Sequence, residues 1–558
     1  MNLSNGFRVL SFCIIVFSVS PALALSPGSP QESQCDGLKN MKLDHAEVIS
    51  AKWADAGALE IPVGFPPKVQ TFPVKRRCEI TAVSRPTSDS EITLILWMPA
   101  QEDWNGKFLQ LGSGGWAGSI PPEELIVPLG KGYAAAATDD GHKSAGIVEG
   151  LTPDWAVGHP EKVIDFGYRA LHETAAISKT IAVSYYSKPL SRAYFVGCSD
   201  GGREALMEAE RYPEDFDGII AGAPANQWTH HFTGFVWNEI ALKAKPESLI
   251  TAEQLPAIEK AALAACDTLD GVKDGLIEDP RKCHFDPSVL LCHGDAAKDC
   301  LTQPQIDALK KIYAGPKNPV TGEQIYPGYE PGTEAEAGAW VPWILPPPQL
   351  PMSSAQWAFG NGLFAQVVHE DPKWNWHSMD FDSDARAADE KVGPILNAYN
   401  PDLRTFRDHG GKLIQYHGWG DAAIAPRDSI NFYEKVTAFF AHSPDPRSTN
   451  PADVQSFYRL FMVPGMGHCA GGPGPTSFGN DAPKPGTPAD AEHDLLLALD
   501  KWVTTGVAPD KFIGTGKANT GGADLTRPLC PYPKMAHYKG SGDTNRADSF
   551  ECVSDKDK

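Results

Sequence analysis

Two stretches of this 558-residue chain alternate strand-like apolar runs with helical stretches, and that grammar leaves few folds open. The first holds "ITLILWM" (92–98), "KFLQLG" (107–112), "GYAAAAT" (132–138) and "AYFVG" (193–197), with a helical stretch from Val163 to Tyr186 ahead of the last run. The second holds "KLIQYHG" (412–418), a helix over Ser429 to Phe440, "YRLFMVPG" (458–465) and a final helix over Ala489 to Thr505. Strands alternating with helices build a parallel sheet covered on both faces, so the fold class is α/β. Between the stretches, roughly 226–400, the pattern changes to loops, prolines and aromatics such as "AWVPWILPPPQLPM" (339–352) and "AQWAFGNGLF" (355–364). An insertion between two halves of one sheet is most simply a lid over the C-terminal edge of the strands, where open sheets bind ligands. A separate domain with its own task is the other reading.

The N-terminus obeys different rules. Arg8 precedes the apolar run "VLSFCIIVFSVS" (9–20), and "PALA" follows with Ala22 and Ala24 suited to a cleavage site. The run falls short of the roughly 20 residues that span a bilayer, and a signal peptide over 1–24 is expected, with no membrane attachment after cleavage. The expected organisation is therefore 1–24 signal peptide, 25–225 first part of the core, 226–400 lid, and 401–558 second part of the core. Export places the protein outside the cell or in a periplasm, an oxidising setting. Of 11 cysteines, Cys13 leaves with the signal, and the even number remaining suits disulfides. The net charge of -21 repels phosphate backbones and argues against a nucleic-acid partner. Nothing in the sequence sets the oligomeric state.

Gly197-Cys198-Ser199-Asp200-Gly201 fits G-x-S-x-G between a strand and a helix, a turn that lifts a serine hydroxyl above a sheet. That hydroxyl needs a base, and the base an orienting acid. Each later strand end supplies one: Asp421 follows "KLIQYHG", and His468 follows "YRLFMVPG". Ser, Asp and His in this order are the triad of an α/β-hydrolase fold, here with a large inserted lid domain. His417 is expected to support the site or touch substrate. His230, His231, His377 and His409 lack a preceding strand and read as surface or core residues. If His468 bonds Ser199, their neighbours Cys198 and Cys469 come within disulfide reach. A thiolate nucleophile at Cys198 is the weaker reading, since it would not stay reduced beside such a partner. For the oxyanion, the amide of Asp200 and one from "LGSGGWAG" (111–118), at Gly114 or Gly115, are expected. No Lys-Ser/Thr follows those glycines, so a phosphate loop is excluded.

"CDTLDGVKDGLIEDPRKC" (266–283) crowds Asp267, Asp270, Asp274, Glu278 and Asp279 between two cysteines. Packed carboxylates favour a hard cation such as Ca²⁺, though the spacing is not that of an EF-hand. A solvated acidic turn is the alternative.

Together these residues resemble the tannase and feruloyl esterase family, which includes the hydrolase of mono(2-hydroxyethyl) terephthalate. The most specific segments are "GCSDGGREALMEAERYPEDFDGIIAGAPA" (197–225), "YHGWGDAA" (416–423), "VPGMGHCAGGPG" (463–474) and "RPLCPYPKMAHYKGSGD" (527–543). The resemblance implies a Ser199, Asp421, His468 triad flanked by the Cys198 and Cys469 disulfide. It also implies a structural Ca²⁺ in the lid on Asp267, Asp270 and Asp274, with carbonyls from Val272 and Leu276. The remaining disulfides it implies are Cys35 to Cys78, Cys266 to Cys283, Cys292 to Cys300 and Cys530 to Cys552. The terephthalate-cleaving member holds its substrate carboxylate with an arginine four residues before a phenylalanine. Alignment places Phe359 at that phenylalanine and Ala355 at the arginine. Trp357 and Phe359 suit the planar acyl group of a small aromatic ester, galloyl or hydroxycinnamoyl. The expected activity is therefore an exported serine esterase for phenolic-acid esters. Hydrolysis of other aromatic monoesters, such as the terephthalate type, and a non-catalytic binding protein on the same scaffold are the alternatives.

Overall fold

Leu413 packs into one buried cluster, while Ile414 and Tyr416, on the same strand, pack into another on the opposite side. Side chains alternate across a strand, so a strand apolar on both faces must lie inside a layered structure. The computed structural model describes residues 30–554 except 64–67, 145–148, 295–296, 349–352, 443–453, 481–487, 519–521 and 523, so the expected signal peptide lies outside the described residues. Its principal sheet has nine strands: β1 Ala46–Ala54, β2 Arg77–Ser84, β3 Ile92–Pro99, β4 Lys107–Leu111, β5 Ala134–Thr138, β6 Arg192–Cys198, β7 Gly218–Gly222, β8 Lys412–Gly418 and β9 Tyr458–Val463. They lie in the order β1-β2-β3-β5-β4-β6-β7-β8-β9.

From β5 onward across the sheet every pairing is parallel, whereas β1, β2, β3 and β5 pair antiparallel. The sheet is thus mixed where the sequence pattern suggested a parallel one. The link 85–91 between β2 and β3 is too short for the crossover that parallel neighbours need. Strand β1 escapes sequence reading because it is a largely exposed edge in which only Val48 is buried. One face of the sheet is covered by helices α1 Ala170–Tyr186, α2 Asp200–Arg211 and part of α5 Pro426–Ala441, the other by α6 Leu495–Thr505. The expected helix 163–186 is present as one continuous helical run that widens to a π turn at Asp165–Arg169 before α1. The last helix starts at Leu495 rather than Ala489, because the Asp494 carboxylate accepts from the Leu497 N–H (3.0 Å) as an N-cap.

Register puts the chemistry on one edge. Cys198 lies opposite Gly222, Gly222 opposite Tyr416, and Gly418 opposite Val463, so β6, β8 and β9 end close together. The connection from β7 to β8 carries helices instead of one crossover, among them α3 Trp228–Lys243 and α4 Ala355–Gly362. Their apolar faces join Trp116, Ala225, Ala423 and Ile424 of the strand-end loops in one buried cluster with Phe232, Phe235 and Phe359. Five disulfides are formed, Cys35–Cys78, Cys198–Cys469, Cys266–Cys283, Cys292–Cys300 and Cys530–Cys552, which are the expected pairs. Among the described residues no helix is long and apolar enough to cross a membrane.

Candidate active site

Strand β6 ends at Cys198 and helix α2 begins at Asp200, leaving Ser199 alone in the turn at φ 67° and ψ -121°. Holding a non-glycine residue there costs about 1–3 kcal/mol, a strain typical of sites where a side chain must be presented. Flanking glycines make the turn possible. A Cβ on Gly197 would stand 2.3 Å from the Gly201 carbonyl oxygen, and one on Gly202 would stand 2.2 Å from that of Gly222. Helix α2 could not approach the strands with any larger residue at either place.

Ser199 Oγ lies 2.9 Å from His468 Nε2, and His468 Nδ1 lies 2.8 Å from Asp421 Oδ2. A carboxylate only accepts, so Nδ1 carries the hydrogen and Nε2 is bare toward the serine. The Asp421 side chain is fully buried, and Oδ1 accepts from the N–H groups of Ala423 (2.7 Å) and Ile424 (2.9 Å). Burial alone would oppose its ionisation, but the charge of His468 and hydrogen bonds from His417 and His468 outweigh it. The carboxyl is held well below the usual carboxylate range. The Cys198–Cys469 bond, with Cα atoms 5.9 Å apart, ties the residue before the serine to the residue after the histidine.

His417 is corrected from the substrate-contacting role: it is buried behind Asp421. Its Nε2 faces Asp421 Oδ2 (3.2 Å) and its Nδ1 faces Ser429 Oγ (2.7 Å), so it steadies the acid. Trp357 is half-buried and does not line the pocket beside Ser199, because on α4 it points away from the face that carries Phe359. Phe359 does line it, within 3.5 Å of where a Gly115 Cβ would be.

That pocket runs between Ser199, Asp200 and Gly115 on one side and Trp228, Phe232, Phe235, Trp343 and Phe359 on the other. Its wall of aromatic faces suits a flat aromatic ring. Trp343 stands edge-on to His468, with centroids 5.0 Å apart. Sequence reasoning missed Trp228, Phe232, Phe235 and Trp343, and it placed His231 among core or surface histidines although His231 also lines the pocket. Only the aromatic density of 226–400 signalled them. Among the described residues no lysine or arginine lines this pocket. A larger open cleft also reaches Ser199, His468, Gly114 and Gly115, and is walled by Leu111, Val127, Tyr416 and Leu496.

The glycine-rich loop is fixed to α2 by Ser113, whose N–H and hydroxyl donate to Glu204 (2.9 and 2.5 Å) and whose carbonyl accepts from Gly201. This holds Gly114 and Gly115 beside the serine. Among the described residues, the N–H groups of Gly114, Gly115 and Asp200 have no protein acceptor. Behind them Asp140, Asp200 and Glu204 bring buried carboxylate oxygens within 4.8 Å of one another, a group that could hold a metal ion. Arg203 pairs with Asp200 and donates to the carbonyls of Phe166 and Gly167. Burial raises Asp140 and Asp200 above the usual carboxylate range, and the charge of Glu204 adds to the effect.

In the loop closed by Cys266–Cys283, Asp267 and Asp270 are buried. Asp267 Oδ1 accepts from the N–H groups of Asp274 and Gly275, and Asp270 Oδ1 from that of Val272. Arg527 donates to Asp274 (2.6 Å) but is one cation among several acids. Among the described residues Asp270 Oδ2 is buried without a hydrogen-bond partner, and no backbone N–H donates to the carbonyls of Val272 or Leu276. All these spare donors are oxygens.

The chain is similar to an uncharacterised esterase of Xanthomonas campestris, 38% identical over 563 residues that cover 98% of this chain and 95% of the relative. A probable feruloyl esterase B-2 of Aspergillus terreus is 32% identical over 493 residues, 85% of this chain and 86% of the relative. Among solved structures, feruloyl esterase B from Aspergillus oryzae superposes with a TM-score of 0.81 at 29% identity, over 94% of this chain and all of that one. The tannin acyl hydrolase of Aspergillus niger shares the fold, with a TM-score of 0.72 at 22% identity over 94% and 95%. Residues 78–553 match the family model for tannase and feruloyl esterase, and with these relatives beside it the chain belongs to that family as a carboxylic ester hydrolase of the tannase or feruloyl esterase type.

Proposed function

We propose that this protein is an exported serine esterase that hydrolyses phenolic-acid esters, galloyl or hydroxycinnamoyl, on an α/β-hydrolase core whose inserted segment 226–400 serves as a lid. The observation that carries the reading is the hydrogen-bonded row Ser199, His468, Asp421 at the mouth of an aromatic-walled pocket. Ser199 Oγ attacks the ester carbonyl while His468 Nε2 takes its proton, and ionised Asp421 balances the imidazolium. The tetrahedral oxyanion is met by the Asp200 amide and by that of Gly114 or Gly115, which are free to donate. His468 then protonates the departing alcohol, and the same histidine activates the water that releases the acid. The aromatic ring of the acyl group occupies the aromatic-walled pocket, and the alcohol leaves through the larger cleft.

The lining of this pocket favours a neutral aromatic acyl group over an anionic one. A terephthalate monoester would bring its free carboxylate into a pocket with no lysine or arginine among the described residues, and desolvating an unpaired charge is expensive. A neutral phenolic ring meets no such cost. Asp267, Asp270 and Asp274, with the carbonyls of Val272 and Leu276, would hold a Ca²⁺ ion that neutralises the loop's carboxylates and braces the lid. Export accounts for the disulfides. The test is kcat/KM on methyl gallate and methyl ferulate with Ser199→Ala as blank. The substitution should cost at least about 10⁴-fold in kcat in a folded protein. Undiminished turnover by the variant, or no turnover of either ester by the native enzyme, refutes the reading.

A further inference from the structure

His231 lies on α3 with its side chain buried in the wall of the pocket that begins at Ser199. Its Nε2 is 2.9 Å from the carbonyl oxygen of Ala423. A carbonyl oxygen only accepts, so Nε2 carries the ring hydrogen and Nδ1 is left as a bare lone pair. Tyr329 donates its hydroxyl hydrogen to the same oxygen (3.0 Å) and receives one from Gln356 (2.8 Å), which fixes the carbonyl from the other side. The imidazole is packed between Phe235 and Tyr326, with centroids 4.2 and 5.3 Å away, which opposes rotation of the ring. Burial depresses its pKa to about 3, and the lone pair therefore stays unprotonated wherever an esterase works.

Among the described residues Nδ1 has no hydrogen-bond partner. Leaving a buried acceptor unmade costs about 1–3 kcal/mol, a cost removed when a ligand supplies a donor. Most of the pocket wall around it is apolar: Trp228, Phe232, Phe235, Phe359 and Ile424 offer no acceptor to such a ligand. A fixed, neutral acceptor in an aromatic-lined pocket recognises an aromatic ring that carries an O–H.

We propose that His231 Nδ1 accepts the hydrogen bond of the acyl ring's hydroxyl, making His231 the residue that selects hydroxylated over unsubstituted aromatic acyl groups. This rests on the phenolic-ester reading and adds to it a named atom of recognition. A ring without the hydroxyl, or with a methyl ether in its place, leaves the lone pair unmet and binds the transition state more weakly.

The experiment compares two ester pairs, methyl 4-hydroxycinnamate with methyl cinnamate and methyl 4-hydroxybenzoate with methyl benzoate. Each is tested on the native enzyme, His231→Gln and His231→Asn. Glutamine keeps a donor within reach of the Ala423 carbonyl but loses the acceptor at the Nδ1 position, whereas asparagine restores an oxygen near that position. The native enzyme should favour the hydroxylated member of at least one pair. In His231→Gln that kcat/KM ratio should fall about tenfold, the worth of one such hydrogen bond, and His231→Asn should recover part of it. A merely structural role would lower both members in parallel, so an unchanged ratio in the variants overturns the proposal. If glutamine prevents folding, His231→Leu, which offers neither donor nor acceptor, takes its place, and an unchanged ratio there overturns the proposal. Turnover of none of the four esters by the native enzyme overturns the phenolic-ester reading together with it.

Discussion

Replacing Asp421 by asparagine tests the site at its most constrained point. All four groups that face the carboxylate are donors: the N–H groups of Ala423 and Ile424 at Oδ1, and the imidazoles of His468 and His417 at Oδ2. An asparagine must turn its NH₂ toward one pair. Turned toward the backbone, it confronts two N–H groups that cannot move. Turned toward the histidines, it forces His468 to accept at Nδ1 and carry its hydrogen on Nε2, pointing at Ser199. An imidazole in that tautomer cannot take the serine's proton. The expected loss is on the order of 10⁴ in kcat, equivalent to about 5.5 kcal/mol of transition-state stabilisation, with KM little changed. The assay is kcat/KM on methyl ferulate by product chromatography, with thermal unfolding run beside it. A folded Asp421→Asn protein that keeps more than a tenth of native kcat would refute the assigned role. The same experiment carries a pH signature. Burial disfavours the charged form of Asp421, but His468 and His417 win and its folded pKa lies below the unfolded value. Its stabilisation is therefore present above about pH 4 and lost as pH falls through the folded value, so the gap in Tm between native and variant should narrow in acid.

Glu208 on α2 should behave in the opposite sense. Fully buried, with neither carboxyl oxygen partnered among the described residues, it has its pKa raised by burial and then by the charge of Asp215. The folded chain holds a proton that the unfolded chain releases, so stability falls by up to about 1.4 kcal/mol per pH unit from about pH 4.3 upward. Glu208→Gln should gain Tm over the native protein at pH 8 more than at pH 5, and equal shifts at both pH values would contradict the assignment. Removing the Cys198–Cys469 bond with Cys198→Ala and Cys469→Ala frees a separation of 271 residues, worth about 5.6 kcal/mol in the chain-entropy account. Both Tm and kcat should drop, and an unchanged Tm would show that the bond staples nothing. Chelation with EDTA should lower Tm, with recovery on adding Ca²⁺, since saturation at a hundred times Kd contributes about 2.7 kcal/mol; indifference to chelator would argue for a metal-free acidic loop.

The Ser199 turn was legible because its constraint is local: only glycines at 197 and 202 let the helix close on the strands. Asp421 and His468 were legible because each follows an apolar run just past a strand end. The edge strand β1 was not, since an exposed strand need not alternate apolar with polar residues. The sequence left His417 between supporting the site and touching substrate, because standing on the same strand as the acid's loop says nothing about which way the ring points. In the tertiary structure it lies behind Asp421, away from the pocket.

The sequence alone determined the α/β class, the three catalytic candidates, their order and the cysteines that flank them, because periodicity and turn chemistry act between residues near in the chain. Only the tertiary structure decided which aromatics form the pocket. Trp228, Phe232, Phe235 and Trp343, which join the expected Phe359 there, come from separate segments and none is marked by its neighbours. They converge because α3, α4 and the segment at Trp343 bury their apolar faces against the strand-end loops. The same packing leaves one histidine nitrogen without a partner in an aromatic wall, a property that no local pattern encodes.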